Sequence, residues 1–430
     1  MGVDPQKLYP QRGHEMGDIT RTRFRTFGTW LLLIGPGLSV MLADSDVGSI
    51  ITAAQSGALW QYTLVLPQVL LIPFLYIIQE ITVRLGVITH KGHAELVRLH
   101  FGKGWAYLSS STLFLAALGA LVTEYVGVAS IGELFGITRW ITVPLSIVFL
   151  VGLVVSGSYR RVERVAILVG LFELLFIPAA LLSHPDWGAL VRSMKTQPLF
   201  NSDYRFLLAA NVGAVIMPWM VFYQQGAVID KKLGKADLKV ARMDTLLGAI
   251  VTQVIMIAVI VATASAGAHA QTTLQVNSVG NIVDSLQPLL GSFGAKVLVG
   301  LGIGGAGLIA AIVVSLAGAW GVGEALGVQK SLNLRFGEAK GFYAAFIAAN
   351  LAGGGLVLSD LSLTGLTLDI ELLNALVLPL VLGFLLLIER RALPDKYRMR
   401  GAHRTIAWSL VLIVVAFGLS MGYDTIRHGL

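Results

Sequence analysis

Cysteine is absent from the sequence, so neither disulfides nor thiolate-bound metals are available to it. Charge is scarce too. Only 13% of the residues are Asp, Glu, Lys or Arg while 55% are hydrophobic, and soluble domains carry roughly 25% charged residues. A surface so poor in charge has to face lipid, which makes this an all-α polytopic membrane protein. Proline is sparing, 13 residues against 48 glycines, as suits tightly packed membrane helices whose small residues let backbones approach. Histidine is missing from mid-membrane depth: all eight fall in loop or terminal segments or at the ends of apolar runs. The usual titrator between about pH 5 and 8 is therefore lacking there. With no histidine ligand cluster and no nucleophile motif, an enzyme finds little support, and no cofactor is expected.

Apolar runs long enough to cross a bilayer, ~20 residues, fall at 28–56, 60–83, 105–135, 139–157, 163–183, 205–228, 242–266, 288–323, 341–359, 368–389 and 404–423. The first, third and eighth exceed one crossing, which allows tilt or interruption. Of the 32 Lys and Arg, 26 lie in six segments, 1–27, 84–104, 159–164, 230–242, 330–340 and 390–404. These alternate with segments almost free of them. By the positive-inside rule the N-terminus is cytoplasmic and, with eleven spans, the C-terminus is outside.

The expected organisation is a cytoplasmic tail over 1–27, one transmembrane transport domain over 28–423 and an outside tail over 424–430, in the cell (plasma or inner) membrane. Residues 31–42 have the apolarity of a signal-peptide core, but the polar stretch ahead is too long, so an uncleaved first helix is expected. The same distribution explains the net charge of +7: the basic residues are topology signals with some attraction to anionic lipid. The loop DKKLGKADLKVAR over 230–242 reads this way and not as a nucleic-acid surface. Residues 183–204, the longest outside loop, are expected to form a short ordered hairpin. Residues 90–103 have helical periodicity and are expected on the cytoplasmic face. No soluble domain fits between the spans, and a monomer suffices.

Residues 35–59 read GPGLSVMLADSDVGSIITAAQSGAL. Asp44, Ser45, Asp46, Gly48 and Ser49 interrupt what is otherwise a membrane helix, although a charge at that depth costs at least ~2.5–3.5 kcal/mol. The pattern predicts a helix that unwinds mid-membrane and offers carbonyls as well as side chains, which is tolerated only inside protein or beside a watery cavity. Residues 211–225, NVGAVIMPWMVFYQQ, supply a second break, because Pro218 removes a backbone donor and frees carbonyls near Ala214. Paired discontinuous helices mark the binding site of inverted-repeat transporters. Spans 1–5 and 6–10 then form the two repeats, with span 11 peripheral.

These residues resemble the Nramp divalent-metal transporters, which have the LeuT fold, through most of the chain. Asp46-Val-Gly-Ser49 stands where that family has Asp-Pro-Gly-Asn, and Gln55-Ser-Gly-Ala58 matches the end of that helix. Arg84-Leu-Gly-Val-Ile-Thr-His-Lys-Gly-His-Ala-Glu-Leu96 looks like the family's loop after span two. Met217-Pro-Trp219 replaces Met-Pro-His, and Ser315-Leu-Ala-Gly318 matches part of span eight. The resemblance implies five ligands: the Asp46 carboxylate, the Ser49 hydroxyl in place of an amide, the Ala43 and Ala214 carbonyls, and the Met217 thioether. It also marks departures. The family's span-eight glutamine aligns with Leu308, Trp219 and Gln224 replace two histidines, Glu124 alone remains of an acidic pair in span three, and the span-nine arginines have no clear counterpart.

Carboxylate and carbonyl oxygens suit hard cations, whereas a thioether prefers softer transition metals. Met217 thus favours Mn²⁺ or Fe²⁺, while the lost amide at Ser49 and lost glutamine at Leu308 favour a partly hydrated ion such as Mg²⁺. The family's divergent magnesium-carrying relatives keep that choice open. Asp44, Asp46, Glu124 and Glu173 are the remaining proton carriers, so weak or absent proton coupling is expected. Asp44, two residues from Asp46, is expected to point elsewhere, as a vestibule charge. Bland readings stand beside these: Met217 as a packing residue, Asp46 as an acid bonded to nearby backbone. A different function is also open, transport of a small organic solute, because Trp219, Phe222 and Tyr223 could hold an ammonium group by cation–π contact.

Overall fold

The computed structural model describes residues 35–270, 276–359 and 366–428. The expected N-terminal tail and the first residues of span one, 28–34, lie outside the described residues. In chain order the helices are α1 (Pro36–Asp44), α2 (Val47–Trp60), α3 (Val65–Thr89), α4 (His93–Phe101), α5 (Lys103–Leu134) and α6 (Arg139–Val155). The fifth run forms α7 (Tyr159–Gly170), a 3₁₀ turn (Leu171–Leu175) and α8 (Phe176–Leu182), followed by α9 (Trp187–Ser193). Then come α10 (Ser202–Val215), α11 (Pro218–Asp230), α12 (Leu238–Ala270), α13 (Val279–Leu290), α14 (Ser292–Leu326), α15 (Lys340–Leu358), α16 (Leu366–Ala392) and α17 (Gly401–His428). Among the described residues, each of the eleven apolar runs is mostly helical, on one helix or on successive ones. Among the described residues, seven helical stretches are long and apolar enough to cross a membrane by length and composition.

Three boundaries differ from expectation. Span eight starts at Ser292 because Gly291, at φ +74°, ends α13 there; residues 288–290 belong to the preceding helix. Positive φ is available to glycine without a Cβ clash. Residues 183–204 do not form a hairpin: the Asp186 side chain accepts the Ala189 N–H at 2.9 Å and starts the short helix α9. The last helix runs to His428, past the expected end at 423. The periodic segment 90–103 is helical, as α4.

Both broken helices break for local reasons. Pro36 opens α1 at a position where its fixed φ is an advantage. After Asp44 the chain turns at Ser45, and Asp46 is extended at φ −66° and ψ 177°. Its carboxylate accepts the Ser49 N–H at 2.7 Å and so caps α2, a role in which Asp is among the best residues. In span six Met217 is extended at φ −98° and ψ 142°, and Pro218 is the first residue of α11. Proline pushes its predecessor out of helical geometry.

Close backbone approaches fix these half-helices on α12. A Cβ added at Gly57 would lie 2.3 Å from the Ile260 carbonyl oxygen, and one at Gly37 2.6 Å from the Thr245 nitrogen. Backbone cannot yield as a side-chain tip can. Gly57→Val is therefore expected to destabilise by at least the ~1–3 kcal/mol of an overpacked core. A lower unfolding temperature in detergent checks this, with Gly152→Ala as the silent control, since a Cβ there meets nothing within 4 Å.

The end of the bundle that carries the basic loops is fastened by buried ion pairs. Arg84 contacts Glu80 at 3.1 Å and Glu389 at 3.6 Å, joining α3 to α16. Lys231 meets Glu163 at 2.9 Å, joining α11 to α7. At the same end Asp244 of α12 accepts three backbone N–H groups, from Gly35 at 3.1 Å, Gly37 at 2.7 Å and Leu38 at 3.1 Å. An acid at a helix N-terminus satisfies orphan donors and complements the dipole. It clamps α1 to α12.

Candidate functional site

The two breaks meet in the middle of the bundle. The Ser49 hydroxyl on α2 donates to the Ala214 carbonyl on α10 at 2.9 Å. Pro218 has no N–H to offer that carbonyl, so the bond fills the gap the proline leaves. In span one the Val47 N–H, which would reach back to Ala43 in an unbroken helix, donates instead to Glu124 at 3.3 Å. The Ala43 carbonyl is thereby left out of the helical ladder. The start of α2 is thus joined to the end of α10, and the carbonyl ends of α1 and α10 each carry partial negative charge. Asp46, Ser49, Ala214 and Met217 are all buried, none more than 1% exposed.

Acids gather at the first break. Asp44, Asp46, Glu124 and Glu173 are each no more than 1% exposed. Glu124 lies within hydrogen-bonding reach of the Asp46 carboxylate. Glu173, on the 3₁₀ turn, is close to the Ser45 side chain and feels the charges of Asp44 and Asp46. The Ser45 and Thr252 hydroxyls are 2.8 Å apart, tying the unwound segment to α12. Asp44 is thus buried against span five and does not stand in an open vestibule. Buried charges are paired or coordinate metals. Among the described residues no group of three or more His, Cys, Asp and Glu is placed to hold a metal unaided. An ion here would draw most of its ligands from carbonyls, hydroxyl, thioether and water.

Around this centre, Asn211 donates to Ser56 at 2.8 Å and accepts from Gln68 at 2.7 Å, bracing α2, α3 and α10. Residues 37–424 match the family described as Natural resistance-associated macrophage protein-like, Nramp. The chain belongs to the Nramp family. It is similar to the divalent metal cation transporter MntH of Yersinia pestis, 31% identical over 304 residues that cover 67% of this chain and 71% of the relative. It is also similar to the MntH of Brucella suis, 27% identical over 326 residues, 72% of this chain and 71% of that one. In structure it is similar to the Eremococcus coleocola manganese transporter, with a TM-score of 0.75 at 17% identity over 93% of this chain and 87% of that one. A nucleobase-cation-symport-1 transporter in a closed conformation superposes at a TM-score of 0.52 with 13% identity, over 90% of each chain. The fold is the LeuT-type inverted repeat, as expected.

The residues by which this Nramp chain departs from the family pattern have identifiable places. Trp219, fully buried, donates its indole N–H to the Met217 sulfur at 3.1 Å. Gln224 is not at the break: its oxygen accepts from Thr82 at 3.2 Å and its amide donates to Thr245 at 2.8 Å, a strut between α3, α11 and α12. On span eight Gly307 faces the break beside Leu308, since a Cβ there would sit 3.2 Å from the Val47 side chain and 3.3 Å from the Glu124 carbonyl. That wall is bare backbone. Phe222 packs at a tilt against His93 with ring centroids 4.6 Å apart, and Tyr223 against Trp320 at 5.6 Å. Burial pushes the His93 imidazole down to about 3, so it stays neutral at physiological pH.

Sequence reasoning passed over Asp244, Thr252 and the placement of Glu173. Asp244 had a readable signal, an acid just inside an apolar run, where an N–H-rich helix end is a ready partner. Thr252 had none, since one hydroxyl in an apolar helix most often bonds its own backbone.

Proposed function

We propose that the chain is a secondary transporter of a divalent metal cation. The observation that carries this is the Ser49–Ala214 bond, which joins the two helix breaks beside the buried Asp46 and Met217. Asp46, Ser49, Met217 and the Ala43 and Ala214 carbonyls are the ligands. The Ser49 hydroxyl spends its proton on Ala214, which turns its lone pairs toward an ion. Membership of Nramp and the names of the MntH relatives support the substrate class, and Mn²⁺, Fe²⁺ or Mg²⁺ is the cargo; no resident cofactor and no catalysis are involved. The basic end of the bundle is the cytoplasmic one, with the 1–27 tail there and the C-terminus outside the cell membrane. Alternating access then requires α1 to leave α12 at that end while the site stays near the midplane.

An organic-solute reading needs the aromatic cluster free to cradle an ammonium group. Phe222 and Tyr223 are instead packed against neighbouring helices, and Trp219 is turned to Met217. The metal reading stands.

Proton movement is weak or absent in the transport step, because no histidine lies at the centre and only carboxyls are available there. In proteoliposomes holding a metal-sensitive dye and a pH dye, Mn²⁺ or Mg²⁺ uptake is expected without matching acidification. Acidification driven by metal and abolished by Glu124→Gln contradicts the coupling statement. Absence of uptake for every divalent ion contradicts the function.

A further inference from the structure

The contact between Trp219 and Met217 bears on which metals the centre accepts. An indole N–H can only donate, and when buried it needs an acceptor. Trp219 is 0% exposed and its N–H goes to the Met217 sulfur at 3.1 Å, close for an atom as large as sulfur. The pairing is built into the chain path. Met217 is the extended residue ahead of Pro218, and Trp219 is the second residue of α11, so the backbone holds the two residues side by side. A thioether is a weak acceptor. The sulfur keeps a second lone pair for a cation, but the indole N–H draws electron density from it and weakens it as a soft ligand. A hard cation held by Asp46 and by carbonyl oxygens does not depend on the sulfur.

We infer that Trp219 is a selectivity-determining residue: its N–H occupies the Met217 sulfur and biases the centre toward hard, oxygen-seeking divalent cations. This rests on the metal-transport reading above. It reconciles the two opposed signals in the sequence, since Met217 is present but engaged, while Ser49 in place of an amide and Leu308 in place of a glutamine favour a partly hydrated ion.

The test uses the full-length protein in detergent, titrated calorimetrically with Cd²⁺ as the soft probe and Mg²⁺ as the hard one. Trp219→Phe keeps an aromatic ring and removes the N–H. It is expected to tighten Cd²⁺ binding about tenfold, the upper range of one net hydrogen bond, with Mg²⁺ affinity unchanged and the gain lost in the Trp219→Phe/Met217→Ala double variant. Met217→Leu, which also takes the acceptor from the Trp219 N–H and so lowers stability, is expected to shift Cd²⁺ affinity less than about threefold. Unaltered Cd²⁺ affinity in Trp219→Phe, or a loss of about tenfold or more in Met217→Leu, overturns the inference while leaving the transport reading intact. Failure of the unaltered protein to bind either ion overturns both.

Discussion

Asp46→Asn is expected to abolish divalent-cation uptake while leaving the protein nearly as stable as before. Asp46 has two duties that this substitution separates. Its carboxylate starts α2 by accepting the Ser49 N–H, and it is the proposed carboxylate ligand beside the Ser49–Ala214 bridge. Asparagine caps a helix about as well as aspartate, whereas alanine loses about 1 kcal/mol there. Removing the charge from a buried ion contact costs about 3–5 kcal/mol, more than a hundredfold in affinity. Asp46→Asn should therefore transport nothing measurable and unfold within a degree or two of the unaltered protein, and Asp46→Ala should lose both transport and some stability. Asp44→Asn, at a residue outside the proposed ligand set, should keep measurable uptake. Uptake in Asp46→Asn comparable to the unaltered protein contradicts the assignment.

The second large effect lies about 207 residues away in sequence from the start of α1. Asp244 holds the first turn of α1 through three backbone N–H groups. Hydrogen bonds to a charged acceptor contribute roughly 1.5–3 kcal/mol each when isolated, and three sharing one carboxylate contribute less than their sum. Even about 2 kcal/mol taken from the closed form shifts an open–closed equilibrium some thirtyfold. The absence of cysteine offers a clean readout. Ser39, buried on α1, becomes the only thiol in Ser39→Cys. Adding Asp244→Ala should raise its labelling rate by about tenfold or more. Equal labelling rates with and without Asp244→Ala mean that the cap does not govern α1.

The breaks were legible because their causes are short-range. Asp46 followed three residues later by a polar residue is a helix-start signal, Pro218 cannot continue a helix, and the alternation of basic segments needs only counting. The bridge between Ser49 and Ala214 spans 165 residues and depends on how two repeats dock, which no local pattern encodes. Trp219 and Met217 are neighbours in the chain, yet their contact follows from a side-chain orientation set by burial. The aromatic cluster misled for the same reason: Phe222 and Tyr223 have the composition of a cation box and the surroundings of core residues. Gly291 and Asp186 show the reverse. Both are strong turn and cap residues, and the apolar runs beside them drew the boundary elsewhere.

The proposed site rests on one carboxylate completing a centre otherwise made of carbonyls, a hydroxyl and a thioether. Calorimetric titration of Mn²⁺, Mg²⁺ and Ca²⁺ into the purified protein and into Asp46→Asn tests that most directly. Saturable binding of at least one ion to the unaltered protein, lost in Asp46→Asn with the fold retained, is the expected result. Binding that survives Asp46→Asn, or no binding of any of the three ions to the unaltered protein, contradicts it.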